Sequence, residues 1–278
     1  MDEIWYADGV LLNSGPVQDI SYDSTQSNTP PKVGTNSQIY RRHGTVYRPK
    51  YYDQGTFTLN LWSYQGTREE MLDHYRKTLR VLDRADGLVK YERQMEDGTR
   101  HYFCYGELLA AVQPAFLGPT GLSYAIAVTV PGAFWTSTET ITVSTTAGSG
   151  SPQTLDLVGL EDSTAPIDDA LITVTGPITH PIIEVVRDDN AAVTEQVKYM
   201  GVVDSGQTLT LDSGDWSIST TGGLDVDPSD IYYEGPKYLT IQPPRPDATS
   251  DYTQVTLSGT GTGSTTQLTI SASSKVTT

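Results

Sequence analysis

Four histidines, one cysteine, a run of spaced aspartates and a few clustered aromatics are the residues through which this 278-residue chain could do chemistry. His43, His74, His101 and His180 are scattered and lack the short spacings of a metal site. Cys104 stands alone, so it forms neither an internal disulfide nor a thiolate cluster. Phosphate-loop, zinc-protease and nucleophile-elbow signatures are all missing. Asp225, Asp227 and Asp230 are carboxylates of the kind calcium takes, but the EF-hand spacing and its closing glutamate are absent, which leaves a solvated acidic turn. Trp216, Tyr232 and Tyr233 could stack on a sugar ring, although aromatics in a β-sandwich more often fill its core or rim. Arg41, Arg42 and Arg48 carry guanidinium forks that match carboxylates across a subunit contact. The geometry of a carboxylate pair for glycoside hydrolysis cannot be read from sequence. The expectation is a protein that is not an enzyme and that holds no cofactor and no metal.

These residues sit on a chain whose charge is unevenly placed. Net charge is −16; residues 1–138 carry 13 Lys/Arg against 15 Asp/Glu, and residues 139–278 carry 5 against 19. Tyrosine divides as well, 12 before the step and 5 after it. Two domains are expected, 1–138 and 139–278: a near-neutral Tyr- and Arg-rich half suited to protein contacts, and an acidic half suited to solvent. The overall acidity disfavours nucleic-acid readout, and no stretch is long and apolar enough to span a membrane. The opening Met1-Asp2-Glu3 is acidic where a secretory leader would be basic, so synthesis in the cytosol without a cleaved signal is expected.

One helix, over about 67–85, is expected in the first half. Thr67 and Glu70 have the spacing of a capping box, and Met71, Leu72, Tyr75, Leu79 and Leu82 share one face. Arg76, Lys77, Arg80 and Arg84 load its later turns, and Asp86-Gly87 is expected to close it in a left-handed turn. Strands are expected around Phe57-Leu59-Leu61, on either side of Glu96-Asp97-Gly98, and over 124–130, with a turn at Asp8-Gly9. Residues 23–55 form a long polar arm containing Pro30-Pro31, too long for an ordinary loop and fit for a subunit contact or a hairpin.

From Glu139 onward only short alternating runs broken by Gly, Pro, Asp and Ser occur, the pattern of a β-sandwich or jelly roll. The runs Gln254–Leu257 and Gln267–Ile270, joined through Gly259, Gly261 and Gly263, are expected to form a terminal hairpin.

Several motifs in order resemble the distal tail proteins of long-tailed phages with flexible tails, especially the minor tail proteins of actinobacterial phages. In the first half they are Trp5-Tyr6-Ala7-Asp8-Gly9-Val10-Leu11-Leu12-Asn13, Gly55–Leu61 with the capped helix directly after it, Tyr105-Gly106-Glu107-Leu108, and Pro131-Gly132-Ala133-Phe134-Trp135. In the second half they are Gly176–Ile183 and Val203–Asp212. The arm with its Arg-Arg-His and the Ser/Thr-rich end depart from that pattern. The resemblance implies a mainly β chain: a ring-forming α+β domain with one helix, then a galectin-like β-sandwich. It implies a structural virion protein of the tail tip or baseplate, assembled in the host cytoplasm. As a homo-hexameric ring it would join the tail tube protein and the tape-measure end to the hub and receptor-binding proteins. The competing expectation is a lectin-like or adhesin sandwich that binds carbohydrate through Trp216, Tyr232 and Tyr233. A third is a cell-wall glycosidase, which would need two essential acids.

Overall fold

The structure, a computed structural model, describes residues 3–13, 18–20, 30–34, 37–38, 45–46, 51–95, 98, 100–186, 193–221, 224–234, 239–243 and 253–277. The chain is mainly β and divides into two compact units: Met1–Thr138 with Thr277–Thr278, and Glu139–Val276.

In the first unit, β1 (Glu3–Ala7) turns through Asp8 and Gly9, both at positive φ, into β2 (Val10–Leu11). Two successive positive φ values give the tight turn whose twist matches an antiparallel pair, and the Asp-Gly dipeptide tolerates both. Then follow β3 (Gln18–Ile20), β4 (Lys32–Val33), β5 (Ser37–Gln38), β6 (Thr45–Val46), β7 (Tyr51–Tyr52) and β8 (Gly55–Tyr64). β5 pairs with β6 inside the pairing of β4 with β7, so the described part of the 23–55 arm is a hairpin. After helix α1 (Arg68–Leu82) come β9 (Val89–Met95), β10 (His101–Leu108), β11 (Ala115–Phe116), β12 (Gly121–Val130) and β13 (Trp135–Ser144). One layer runs β2-β1-β9-β10, with Thr136 and Ser137 of β13 on β10, and the other runs β3-β8-β12-β11; β10 also pairs with β12. Period-two alternation places Phe57, Leu59 and Leu61 opposite Val128, Ile126 and Tyr124 on the buried face. Trp5, Phe57 and Trp135 meet there with ring centroids 5.3–5.8 Å apart, and Tyr91 stands edge-on to Phe57 at 5.2 Å.

The capping box at the start of α1 is present. Glu70 N–H donates to Thr67 Oγ1 at 3.2 Å and Thr67 N–H donates to Glu70 Oε2 at 3.0 Å. Its end differs from expectation. The helix stops at Leu82, and Asp83 closes it from an extended conformation with its N–H on Leu79 O, so Asp86-Gly87 is no cap. Arg84 leaves the helix to pair with Asp8 at 2.8 Å. The buried stripe is Met71, Tyr75, Thr78 and Leu82, while Leu72 and Leu79 are only half-buried.

The second unit takes the rest of β13 and then β14 (Gln153–Asp156), β15 (Leu171–Thr175), β16 (Ile178–Val186), β17 (Val193–Tyr199), β18 (Val202–Val203) and β19 (Thr208–Asp212). β20 (Ser217–Thr220), β21 (Leu224–Asp225), a single 3-10 turn (Pro228–Asp230), β22 (Ile231–Glu234), β23 (Gln254–Thr260) and β24 (Gln267–Val276) complete it. The strands form two sheets, β24-β15-β19-β20-β21 and β14-β23-β16-β17-β22, around an aliphatic core that includes Ile172, Val174, Ile183, Val185, Leu211, Leu257 and Ile270. β23 and β24 lie in different sheets, so the expected terminal hairpin is not formed. Two alternating strands with a glycine-rich link read identically whether they pair or cross the sandwich. Here the link crosses, and Gly263 allows it to pass Pro177, since a Cβ there would fall 2.7 Å from the proline ring.

Candidate functional site

The first half presents two open sheet faces of different character. On the β1-β9-β10 layer, Trp5, Tyr91 and Cys104 point inward, and the alternate residues Tyr6, Glu92 and Phe103 line up across the outside. Lys90 Nζ lies 2.8 Å from Glu92 Oε1 and 5.0 Å above the Phe103 ring, and Phe103 meets Tyr105, which is half exposed, at 5.8 Å. On the β8-β12 layer the outer residues are small or polar, Thr58 and Asn60 opposite Ala127 and Ala125; Thr56 pairs with Thr129, which is buried, and the other end of the face carries exposed Trp62 and Tyr64. Gly121 pairs with Tyr64, and a Cβ there would sit 2.9 Å from the tyrosine ring, so this aromatic end is closely fitted.

Both layers rest on polar links that hold their residues in register. Gln18 is buried; its Nε2 donates to Leu12 O at 2.6 Å, and its Oε1 accepts from His74 Nε2 at 2.7 Å and Tyr124 O–H at 3.1 Å. Burial depresses the His74 pKa below its ordinary value and raises that of Tyr124 to about 12. Arg93 is buried with its guanidinium 4.8 Å from the Trp135 ring centre and 5.4 Å from that of Tyr102.

The second unit carries a groove of about 220 Å³ lined by Trp216, Ser217, Ile218, Val226, Pro228, Ile231 and Tyr233. Trp216 ends the β19–β20 turn, is 70% exposed and has φ 55°. Asp212 Oδ1 accepts from the N–H groups of Gly214 at 2.9 Å and Asp215 at 3.1 Å, which fixes the turn beneath the indole. Asp227 Oδ1 accepts from Ser229 N–H at 2.8 Å and caps the 3-10 turn, and these backbone and side-chain bonds from Ser229 hold its carboxyl below the usual range. Of the sugar-stacking candidates, Trp216 and Tyr233 meet at this groove. Tyr232 does not: it is adjacent in a strand, so it faces the other side, opposite Lys198. Ile218, Val226 and Ile231 were not foreseen, though Ile231 and Tyr233 share a face by simple alternation. Asp225 lies on β21, whose side chains are outside the described residues, as are Arg41, Arg42 and Arg48 altogether. Among the described residues no group of three His, Cys, Asp or Glu is placed to hold a metal, and no helix is long and apolar enough to cross a membrane.

Comparison with solved structures gives a match over the whole chain. The crystal structure of SPP1 Dit (gp 19.1), described as a paradigm of the hub adsorption apparatus in Gram-positive-infecting phages, aligns with 99% of this chain and 100% of its own, at 12% identity and TM-score 0.63. This chain has the Dit fold. Two structures of the phage P2 baseplate in its activated conformation, one with Ca and one with Sr, align over 99% of both chains at 11% and 12% identity, with TM-scores of 0.40. No protein-family model and no curated protein matches the sequence. The fold class thus agrees between the sequence motifs and the structure, down to the order of helix α1, the one α-helix among the described residues, and the sandwich that follows.

Proposed function

We propose that this protein is a structural component of a phage tail tip, a hexameric ring adaptor located in the virion between the tail tube and the hub that leads to receptor-binding proteins. The observation that carries this reading is the end-to-end fold match to SPP1 Dit, which leaves almost no residue of either chain unaccounted for. The two unlike sheet faces of the first unit support a ring. Two unlike faces can meet between copies only head to tail, and such a contact closes into a ring where its rotation closes. The acidic sandwich supports an outward, solvated position. In this reading the protein does no catalysis, its first domain (1–138) makes the ring, and the galectin-like domain (139–278) projects from it. The tape-measure end is a further neighbour, and the arm with Arg41, Arg42 and Arg48 reaches an adjacent subunit.

Particle imaging tests this directly. Labelled protein is expected at the tail tip with six-fold symmetry, as six copies of 30.3 kDa. A three-fold arrangement, or label elsewhere on the virion, would reject it. Deletion of residues 36–50 is expected to leave a folded subunit that fails to enter tails, and normal incorporation would reject the role of the arm. The lectin alternative is supported less well, because the groove lining offers Ser217, the Tyr233 hydroxyl and the Trp216 indole N–H as its polar side-chain groups, few for a ring of sugar hydroxyls.

A further inference from the structure

Helix α1 presents a charged stripe to solvent. Its buried side is Met71, Tyr75, Thr78 and Leu82. Glu69, Asp73, Arg76 and Arg80 are all exposed and, at offsets of four, three and four residues, share the opposite side within about 60° of one another. Acids fill the first half of the stripe and bases the second. Leu72 and Leu79, both half-buried, flank it on one side.

Favourable end charges account for acid near a helix start and base near its end. They do not account for the neighbouring of like with like. Glu69 and Asp73 stand at i and i+4, as do Arg76 and Arg80, and like charges at that spacing repel. Asp73 meets Lys77 at 2.7 Å and feels the charge of Arg76 and Arg80 without an ion pair to either. Among the described residues, none gives the side chain of Glu69, Arg76 or Arg80 a hydrogen bond or an ion pair. Other cations of this unit are engaged: Arg68 lies over the Phe116 ring, Arg84 pairs with Asp8, Lys90 pairs with Glu92, and Arg93 lies beside two aromatic rings. The stripe is complementary to itself when reversed. Glu69 and Arg80 lie equally far on either side of the midpoint between Asp73 and Arg76. A second α1 turned about a two-fold axis through that midpoint sets Glu69 against Arg80 and Asp73 against Arg76, each pair occurring twice. The same turn brings Leu72 near Leu79 of the other copy. A parallel alignment in register sets acid on acid and base on base.

We infer that the outward face of α1 binds the same face of a second copy of this chain, as an antiparallel helix pair with two-fold symmetry. Each like-charge pair then meets opposite charge across the contact, with guanidinium forks on carboxylates, and the leucines supply a small apolar flank. One 15-residue helix from each copy makes a small, mostly ionic contact, so the dimer is weak and salt-sensitive. A two-fold contact is isologous and is therefore additional to a head-to-tail ring. The inference stands on α1 alone and does not depend on the tail-tip reading.

The test is sedimentation of the full-length chain at concentrations up to about 1 mM. A concentration-dependent dimer is expected at about 0.05 M salt and a weaker one at about 0.5 M. The all-acid stripe of Arg76→Glu/Arg80→Glu, and the all-base stripe of Glu69→Arg/Asp73→Arg, should each weaken self-association by at least about tenfold, because like charges then face each other. Mixed together, the two reversed chains should form a heterodimer tighter than the wild-type dimer. Arg76→Gln/Arg80→Gln, which keeps good helix formers, should lose the salt-sensitive dimer while melting close to wild type, so that loss is not a loss of fold. The inference fails if the wild-type chain stays monomeric at low salt, if its self-association is unchanged in the reversed chains, or if their mixture does not associate. A monomeric wild type whose reversed chains no longer enter tails would overturn it in favour of a different tail protein on the same stripe.

Discussion

The two units solve the same packing problem with different materials. The first builds its centre from Trp5, Phe57, Tyr91 and Trp135 and ties it with buried polar groups, Gln18 and Arg93 among them. The second has an aliphatic centre of Ile, Leu and Val, and its polar order lies outside, in rungs of hydroxyls between β13 and β24: Thr140–Ser273 at 3.2 Å, Thr142–Ser271 at 2.9 Å and Ser144–Thr269 at 2.8 Å. Aromatic residues are among those enriched at interfaces, and the first unit keeps several exposed, Trp62, Tyr64 and Tyr105 among them. The second keeps hydroxyls and carboxylates outside, and its exposed large aromatics among the described residues are Trp216, in the β19–β20 turn, and Tyr232, on β22. The difference separates a body held together and faced by aromatic rings from one held together by aliphatic side chains and faced mostly by hydroxyls and carboxylates.

Truncating the aromatic centre should have the largest effect. Phe57→Ala, which removes a ring touching three others, is expected to destabilise the first unit by about 3–5 kcal/mol. In calorimetry the melting should split, with the second unit's transition left in place; a uniform downward shift of one transition would erase the contrast drawn above.

Acidity should move the units in opposite directions. Glu195 is buried and accepts the Thr240 N–H; loss of hydration outweighs that bond and pushes its carboxyl up to about 7. A carboxyl whose folded pKa lies above its unfolded one favours folding most below the unfolded value of 4.5, and this contribution disappears as pH rises through about 7. From pH 8 to pH 5 the second unit should therefore gain stability from this group, on the order of 2–3 kcal/mol, and Glu195→Gln should flatten that dependence. His74 works the other way. Its pKa is depressed by burial, so the folded first unit resists protonation and loses stability as pH falls below the ordinary value of 6.5. Melting curves across this range, read separately for each transition, check both signs; parallel trends would contradict the assignment.

Gln18→Ala should cost the first unit about 1–3 kcal/mol, because His74, Tyr124 and the Leu12 carbonyl lose a partner inside the fold. The smallest expected change is Thr67→Ala, about 1 kcal/mol through loss of the capping box, visible as a modest drop in Tm without altered helix content.

These residues also mark how far the sequence could be read. Helix α1 and strands β8 and β12 were legible because their apolar residues repeat at 3.6 or 2 and each period has one solution. The helix end was not, because Arg84 answers to Asp8, 76 positions earlier, and local signals at Asp86-Gly87 carry no trace of that partner. The burial of Gln18 and Thr78 was equally hidden, since polar residues on an apolar stripe normally read as its margin. Tyr232 and Tyr233 were grouped by residue type although alternation alone separates their faces. The crossing of β23 and β24 depends on which sheet each strand finds, and only the assembled sandwich specifies that.

Gln18 has one more consequence, for the order in which the chain settles. Its amide joins positions 56 residues away, at His74, and 106 residues away, at Tyr124, so it is satisfied only after the helix and β12 have both arrived. A slip of β12 by one residue would turn Tyr124 to the opposite face and leave the buried carbonyl one donor short. The hydrophobic alternation penalises the same slip through exposure of apolar side chains; the amide penalises it through a missing bond. The glutamine thus acts as a proofreader of strand register, rejecting assemblies that hydrophobic collapse alone would tolerate.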